Sequence, residues 1–135
     1  MSISLPLQKS VFARLSSDAT LSSLISGVYD IAPPSAAYPY VLIGEDDITD
    51  ASSKTSRGFS VLLRLEVWST AMGRSPGKSI EKELYRLLHQ ASFSVTGFTL
   101  VDCRFESSES SLEESARLFR TVVRFRVVVF VSGEW

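Results

Sequence analysis

Three arginines alternate with apolar residues near the end of the chain, at positions 120, 124 and 126. Side chains of an extended strand alternate between its two faces, so Arg120, Arg124 and Arg126 share one face and the odd-numbered residues from 119 to 129 share the other. Such a row can pair with carboxylates or contact an anionic partner. Because an unpaired buried guanidinium is strongly destabilising, we expect this face to be solvated, paired across strands, or covered by another subunit.

Carboxylates on neighbouring predicted strands offer partners for these arginines within the chain. By the same alternation, Glu66, Asp102 and Glu106 fall on the arginine-bearing face of the sheet. A second interpretation places the three arginines, together with Arg64 and Glu66, at a subunit interface. A phosphate-binding row is disfavoured, because acidic residues on the same face would cancel the local field.

Two polar segments carry the other charged candidates. Residues 45–58 lack apolar periodicity and predict a long loop between two strands, and residues 107–115 predict a second, acidic loop. Long loops in compact domains are commonly functional or disordered, so both are candidate contact surfaces, with a merely solvated hairpin tip as the alternative. The charged candidates are Asp46, Asp47, Asp50, Lys54 and Arg57 in the first segment, and Glu109, Glu113 and Glu114 in the second.

Residues that support catalysis or metal binding form no pattern of known chemistry in this sequence. The single histidine, His89, and the single cysteine, Cys103, fall on different predicted elements, so we expect no nucleophile–base pair. The acidic residues of segment 45–58 lack the spacing of a calcium-binding loop. We therefore expect no catalytic residue, cofactor or metal site, and interpret Trp68 and Trp135 as packing or rim aromatics.

Composition and length limit the class of protein further. A chain of 135 residues suits one domain spanning residues 1–135, and a pI near 5.8 gives no basic excess that would attract nucleic acid. No signal peptide is apparent, so we expect the protein to stay in the cytoplasm where it is made. The most apolar stretch, residues 122–131, is far shorter than the roughly 20 residues that cross a bilayer, so we expect no membrane association.

Apolar periodicity predicts an α+β domain in which helices pack on one face of an antiparallel sheet of about four strands. On the third strand, Val101, Cys103 and Phe105 are expected to point inward, and Leu100, Asp102 and Arg104 outward. The predicted helices span residues 6–15, 21–25 and 80–91, and the predicted strands span residues 40–44, 59–68, 99–105 and 118–131, with a brief extended piece at residues 28–31.

The order and spacing of these elements resemble the phage tail-completion or tail-terminator family. The resemblance covers most of the chain, from the first helix to Val131. It rests on four segments in sequence: residues 37–44 (AYPYVLIG), residues 65–69 (LEVWS), the helix that carries Ile80, Leu84 and Leu88, and residues 117–129.

The resemblance implies a structural virion protein that assembles as a homo-hexameric ring at the head-proximal end of a phage, prophage or gene-transfer-agent tail. Its partners would be the tail tube protein and a head–tail connector or stopper protein, and DNA would pass through the ring without sequence-specific binding. The segment 45–58 would contact the tube or a neighbouring ring, 107–115 would form a second contact, and the arginine face would lie at a subunit interface or line the lumen. The alternatives are another connector or stopper protein, or a small enzymatic or ligand-binding domain with a pocket formed by His89, Cys103 and carboxylates.

Overall fold

A five-stranded, mostly antiparallel sheet forms the centre of the protein. The computed structural model describes residues 2–70 and 74–132, so Trp135 lies outside the described residues. The sheet order is β1-β2-β3-β5-β4, in which only β1 and β2 run parallel. The strands are β1 (Val28–Tyr29), β2 (Tyr40–Asp50), β3 (Gly58–Thr70), β4 (Phe98–Glu113) and β5 (Leu118–Val131).

Three helices lie on one side of this sheet: α1 (Ser4–Ser16), α2 (Ala19–Leu24) and α3 (Ser75–Leu88). Helices α1 and α3 pack on the strands, and α2 packs against these two helices. The Asp18 carboxylate caps α2 by accepting a hydrogen bond from the Leu21 amide at 2.9 Å. Pro76 lies in the first turn of α3, where its missing N–H costs no helical hydrogen bond. The predicted α+β class is confirmed, but the sheet has five strands because residues 28–29 pair with β2.

The core lies between the helices and the inward face of the sheet. Alternate residues of β3 and β5 are buried there, and Phe125 at the centre is fully enclosed. These positions agree with the inward sets predicted by alternation for both strands. The core members are Val61, Leu63, Leu65 and Val67 on β3, Val123, Phe125, Val127 and Val129 on β5, Leu7, Val11 and Leu15 on α1, and Ile80, Leu84 and Leu88 on α3.

Half of the first predicted polar loop and most of the second are strand, which corrects the sequence-based prediction. Strand β2 continues to Asp50 and β3 begins at Gly58, so residues 51–57 alone connect them. Similarly, β4 continues to Glu113, and residues 114–117 form the turn. The long apolar strands β3 and β5 supply backbone hydrogen-bonding partners for the full length of their neighbours, so pairing outweighs the low strand propensity of Asp, Glu and Ser.

Two irregularities in β4 change which side chains face the core. Register shifts occur between Leu100 and Asp102 and between Phe105 and Ser107, where β4 has one residue more than β5. Val101 is consequently 52% exposed, whereas Leu100 packs against the core. The predicted inward orientation of Val101 and outward orientation of Leu100 are therefore wrong, while Cys103 is buried as predicted.

The strand register places the turns of the two long hairpins at opposite ends of the sheet, and the hairpins themselves form its two sides. We call β2–β3 the first hairpin and β4–β5 the second hairpin. Gly58 pairs with Phe130, so the first turn lies beside the last residues of β5. Thr70 pairs with Leu118, so the second turn lies at the other end. The two hairpin turns are therefore diagonal corners of the molecule.

Candidate functional site

The sheet face opposite the helices carries a network of ion pairs, which we call the charged face. It contains Arg64, Glu66, Arg120, Arg124 and Arg126. Arg120 Nε donates to Glu66 Oε1 at 3.0 Å, and Arg126 Nε donates to Glu106 Oε1 at 3.2 Å. Both of these partners were expected from strand alternation, so pairing within the chain is confirmed for these two arginines.

The third arginine of the row has a partner other than those predicted for it. Arg124 Nη2 donates to Glu109 Oε1 at 2.8 Å, and this bond holds the pKa of Glu109 below its usual value. Asp102 instead pairs with Arg104 at 2.8 Å. The shift between Phe105 and Ser107 places Ser107 opposite Arg124, and Glu109 two residues further along reaches the guanidinium.

Like charges also lie opposite each other on the charged face. Arg64 is paired in register with Arg124 across β3 and β5, and its Nη1 lies 3.7 Å from Glu45 Oε2. Arg64 Nε is buried and has no hydrogen-bond partner among the described residues. Without Glu45 and Glu109, these two guanidinium groups would repel each other across the strands.

The acidic candidates of the first hairpin lie on β2. Asp46 accepts a hydrogen bond from Ser4 Oγ at 2.8 Å, which joins the hairpin to the start of α1. Asp50 accepts from Ser52 Oγ at 2.7 Å, and Asp47 is exposed. Lys54 and Arg57 lie in the turn of residues 51–57, so the five candidates are spread along the hairpin and do not converge on one point.

The second hairpin carries its acidic candidates on both strand and turn. Glu109 and Glu113 lie on β4, and Glu114 lies in the turn. Glu109 is committed to Arg124, whereas no ion pair joins Glu113 or Glu114 to a described residue. Leu112 is 42% exposed beside them, so the end of this hairpin presents both apolar and acidic groups.

His89 and Cys103 have structural surroundings. His89 Nδ1 accepts a hydrogen bond from the Phe105 amide at 3.0 Å, and the Gln90 amide donates to the Cys103 carbonyl at 2.6 Å. These two bonds occupy part of the outer edge of β4. Burial raises the pKa of the Cys103 thiol to about 12, with a further contribution from Asp102, so the thiol is neutral at physiological pH.

Neither residue lines the groove that runs along α1. This groove has a volume of about 680 Å³, and Leu5, Lys9 and Phe93 are among its lining residues. Arg14 lies over the Phe93 ring and donates to the Leu87 carbonyl. Within residues 2–70 and 74–132, no three His, Cys, Asp or Glu side chains come together as a metal-binding group.

Exposed apolar residues on the two sides of the sheet were not predicted from the sequence. Ile31, after β1, is 83% exposed, and Ile48 on β2 is 40% exposed. On the other side, Tyr85 of α3 is 44% exposed and its ring centroid lies 5.5 Å from that of Phe105 on β4. Tyr85 falls among polar residues on the helical wheel, and an aromatic residue on that polar side is a signal that could have identified it.

Comparisons with known proteins agree with this architecture. A family model described as Tail completion protein gp17 matches residues 9–129. The tail completion protein gp17 of Bacillus phage SPP1 is 28% identical over 95 residues, which is 70% of each chain. A chain from the virion of a native gene transfer agent particle superimposes with a TM-score of 0.88 at 30% identity, covering 96% of this chain and 98% of the other.

The protein has a sheet covered by helices on one face only, an ion-paired opposite face and two long hairpins. This architecture matches a virion chain over nearly its full length, and it defines a structural component of phage-type tails. The chain belongs to the tail completion protein gp17 family. It is accordingly a protein of the virion tail of a phage or gene transfer agent. Among the helices of the described residues, none is long and apolar enough to cross a membrane.

Proposed function

We propose that this protein is a tail terminator, which forms a homo-hexameric ring on the head-proximal end of the tail tube. The ring stops tube growth and provides the surface on which the head docks. The observation that carries the proposal is the near-complete mutual coverage, 96% and 98%, with a chain of a gene transfer agent virion. The match to a family described as tail completion proteins favours a structural role over an enzymatic one.

The diagonal arrangement of the hairpins supports a position between two different neighbours. If the strands run roughly along the tail axis, one hairpin turn points to each end of the ring. We assign the turn of the first hairpin, which carries Lys54 and Arg57, to the tail tube side; the other candidates of this hairpin, Asp46, Asp47 and Asp50, lie on β2. We assign the second hairpin, with Glu109, Glu113 and Glu114, to the head–tail connector or stopper protein.

The ion pairs of the charged face support its assignment to the lumen of the ring. A lumen through which DNA passes must be wettable but must not hold the DNA. Arg120, Arg124 and Arg126 each have a carboxylate partner within the chain, so their field is largely cancelled at the distance of a passing duplex. The face is thus hydrophilic without being strongly basic.

Deleting the gene and examining particles by electron microscopy tests the role. A terminator is required to end the tube, so its loss should give overlong tails without heads. Tails of normal length that fail to join heads would instead identify a connector or stopper, and normal joined particles would exclude both roles. Native mass spectrometry of the purified protein and of rings released from tails should give six copies, and any other number contradicts the hexamer.

A further inference from the structure

We infer that neighbouring copies in the ring contact each other through two oppositely charged surfaces on the two sides of the sheet, an inference that rests on the proposed ring. The first, which we call the acidic edge, consists of Asp30, Ile31, Asp47, Ile48 and Asp50. The second, which we call the basic stripe, consists of Lys78, Lys82, Tyr85 and His89 of α3 and the residue after it. The occupant of each surface is a second copy of this chain.

The acidic edge combines exposed aliphatic groups with carboxylates. Ile31 and Ile48 are 83% and 40% exposed, and each directly follows an aspartate in the chain, so both places present an aliphatic group together with a carboxylate. Ile48 and Asp50 pair with Val61 and Phe59 of β3 and so share one strand face, whereas Asp47 pairs with Leu62 and points to the other face; both carboxylates are exposed. Within the described residues neither of these two carboxylates has a basic partner, so they are available to a cation on another molecule.

The basic stripe lies along the side of α3 that faces β4. Lys78, Lys82, Tyr85 and His89 recur at intervals of four, three and four residues, so they form one line on the helix surface. The Tyr85 ring stacks on His89 at 4.5 Å and lies 5.5 Å from Phe105, which fixes the line next to β4. Lys78 and Lys82 are exposed, and neither forms an ion pair with a described residue.

The sheet order places these surfaces on opposite sides of the subunit. Strands β1 and β2 form one side and β4 forms the other. In a ring of identically oriented copies, the β2 side of each copy faces the β4 side of the next, which is a heterologous contact. An isologous contact between two acidic edges would oppose like charges, so the observed charges favour the ring contact over a twofold dimer.

The arginines of the charged face are less suited to this contact than the lysines of α3. Arg120, Arg124 and Arg126 are already engaged with Glu66, Glu109 and Glu106. A contact through them would require these bonds to be exchanged, whereas the basic stripe offers unpaired ammonium groups beside an exposed aromatic ring. Tyrosine is also enriched among the residues that dominate binding at interfaces.

Charge reversal of each surface tests the inferred contact separately from the proposed ring function. Each variant gene is introduced into the deletion strain, and its ability to restore particles is measured. Lys78→Glu/Lys82→Glu and Asp47→Lys/Asp50→Lys should each lower the yield of head-joined particles at least tenfold. The chain carrying all four substitutions should restore much of that yield, because its reversed surfaces are again complementary. Lys9→Glu on α1 is the control for a charge reversal outside the contact, and thermal unfolding followed by circular dichroism shows that each variant is folded.

The outcomes separate the two proposals. If both double variants complement as well as the wild type, the inferred contact is wrong while the ring stands. If the double variants fail but the fourfold variant also fails although folded, the two surfaces do not meet each other. If deletion of the gene changes neither tail length nor head joining, the proposed function is wrong, whatever the result for the contact.

Discussion

At the scale of single residues, the arginine row shows which ion pairs can be predicted from strand alternation and which cannot. Alternation correctly places Arg120 with Glu66 and Arg126 with Glu106. It does not predict Glu109 as the partner of Arg124, because an extra residue in β4 shifts the register and such an insertion has no signature in composition or periodicity. These pairs are partly exposed, so they contribute more to strand register and solubility than to the free energy of unfolding.

Arg124→Glu tests this interpretation of the charged face. The substitution breaks the bond to Glu109 but places a carboxylate opposite Arg64, its partner in register, so attraction replaces repulsion at that position. We expect the thermal unfolding midpoint to change by no more than a few degrees and the ring to assemble normally, as seen by native mass spectrometry.

Arg64→Glu is the matched variant, since it creates the same opposite-charge pair from the other strand. Loss of the ring in both variants, without loss of folding, would show that the charged face forms subunit contacts and does not line the lumen. A large drop in the unfolding midpoint for Arg124→Glu alone would show that its bond to Glu109 stabilises the fold.

At the scale of elements, the apolar strands were predictable and the polar continuations of their neighbours were not. The buried residues of β3 and β5 can be predicted from the sequence alone, because on each strand the residues of one face are mostly apolar and those of the other face include charged residues. The outer parts of β2 and β4 consist mainly of Asp, Glu and Ser, with Ile48 and Leu112 as the large aliphatic residues, so they show neither strong strand propensity nor an apolar alternation. They are extended because β3 and β5 are long, and a partner's length cannot be read from the segment itself.

The turn before β4 gives an element-scale prediction. Gly97 has φ of +85°, its carbonyl accepts from the Ser132 amide at 3.1 Å, and, among the described residues other than its chain neighbours, no atom lies within 4 Å of the position of an added Cβ. The cost of a side chain is therefore backbone strain and not a clash. Gly97→Ala should lower the free energy of unfolding by about 1–2 kcal/mol in urea denaturation, and Gly97→Asn by less.

Thr96→Ala, a substitution at an exposed position of the same turn, provides the control and should leave the stability nearly unchanged. Equal stability of Gly97→Ala and the wild type would show that the turn relaxes to a negative φ and that the left-handed conformation is not required to start β4.

At the scale of the whole molecule, the family and the fold class could be predicted from the sequence, whereas the surfaces that we propose to join neighbouring copies were found only with the sheet order and the side-chain exposures. Family resemblance rests on apolar segments, which determine the core. Ile31, Ile48 and Tyr85 distinguish one side of the molecule from the other, but in the sequence they lie among polar residues. They can be interpreted as contact residues only once the sheet order places them on opposite sides. The arginine row stood out in the sequence, and its ion pairs within the chain are the reason that we propose it for the lumen and not for the contact between copies.

The balance of charge on the charged face leads to a prediction about DNA. The wild-type protein should not retard linear duplex DNA in gel-shift assays at about 0.1 M salt, where screening already weakens distant charges. Glu66→Gln/Glu109→Gln leaves Arg120 and Arg124 without their carboxylate partners, so this variant should bind DNA with an affinity that falls as salt is added.

Glu81→Gln/Glu83→Gln changes the net charge equally but lies on α3, away from the charged face, and should not confer DNA binding. If both variants bind DNA equally, net charge alone is responsible. If the wild type binds tightly, the charged face is not electrostatically balanced and its assignment to a DNA-conducting lumen is wrong.

The diagonal placement of the two hairpin turns has a consequence for how such a protein can diverge. Residues 51–57 and 114–117 share no contacts through the core, since the length of the sheet separates them. Insertions or replacements in one turn therefore leave the other turn and the buried residues unchanged. If the two turns contact the head side and the tube side as proposed, one corner of this subunit can be remodelled for a new head protein while the opposite corner keeps its fit to an inherited tube.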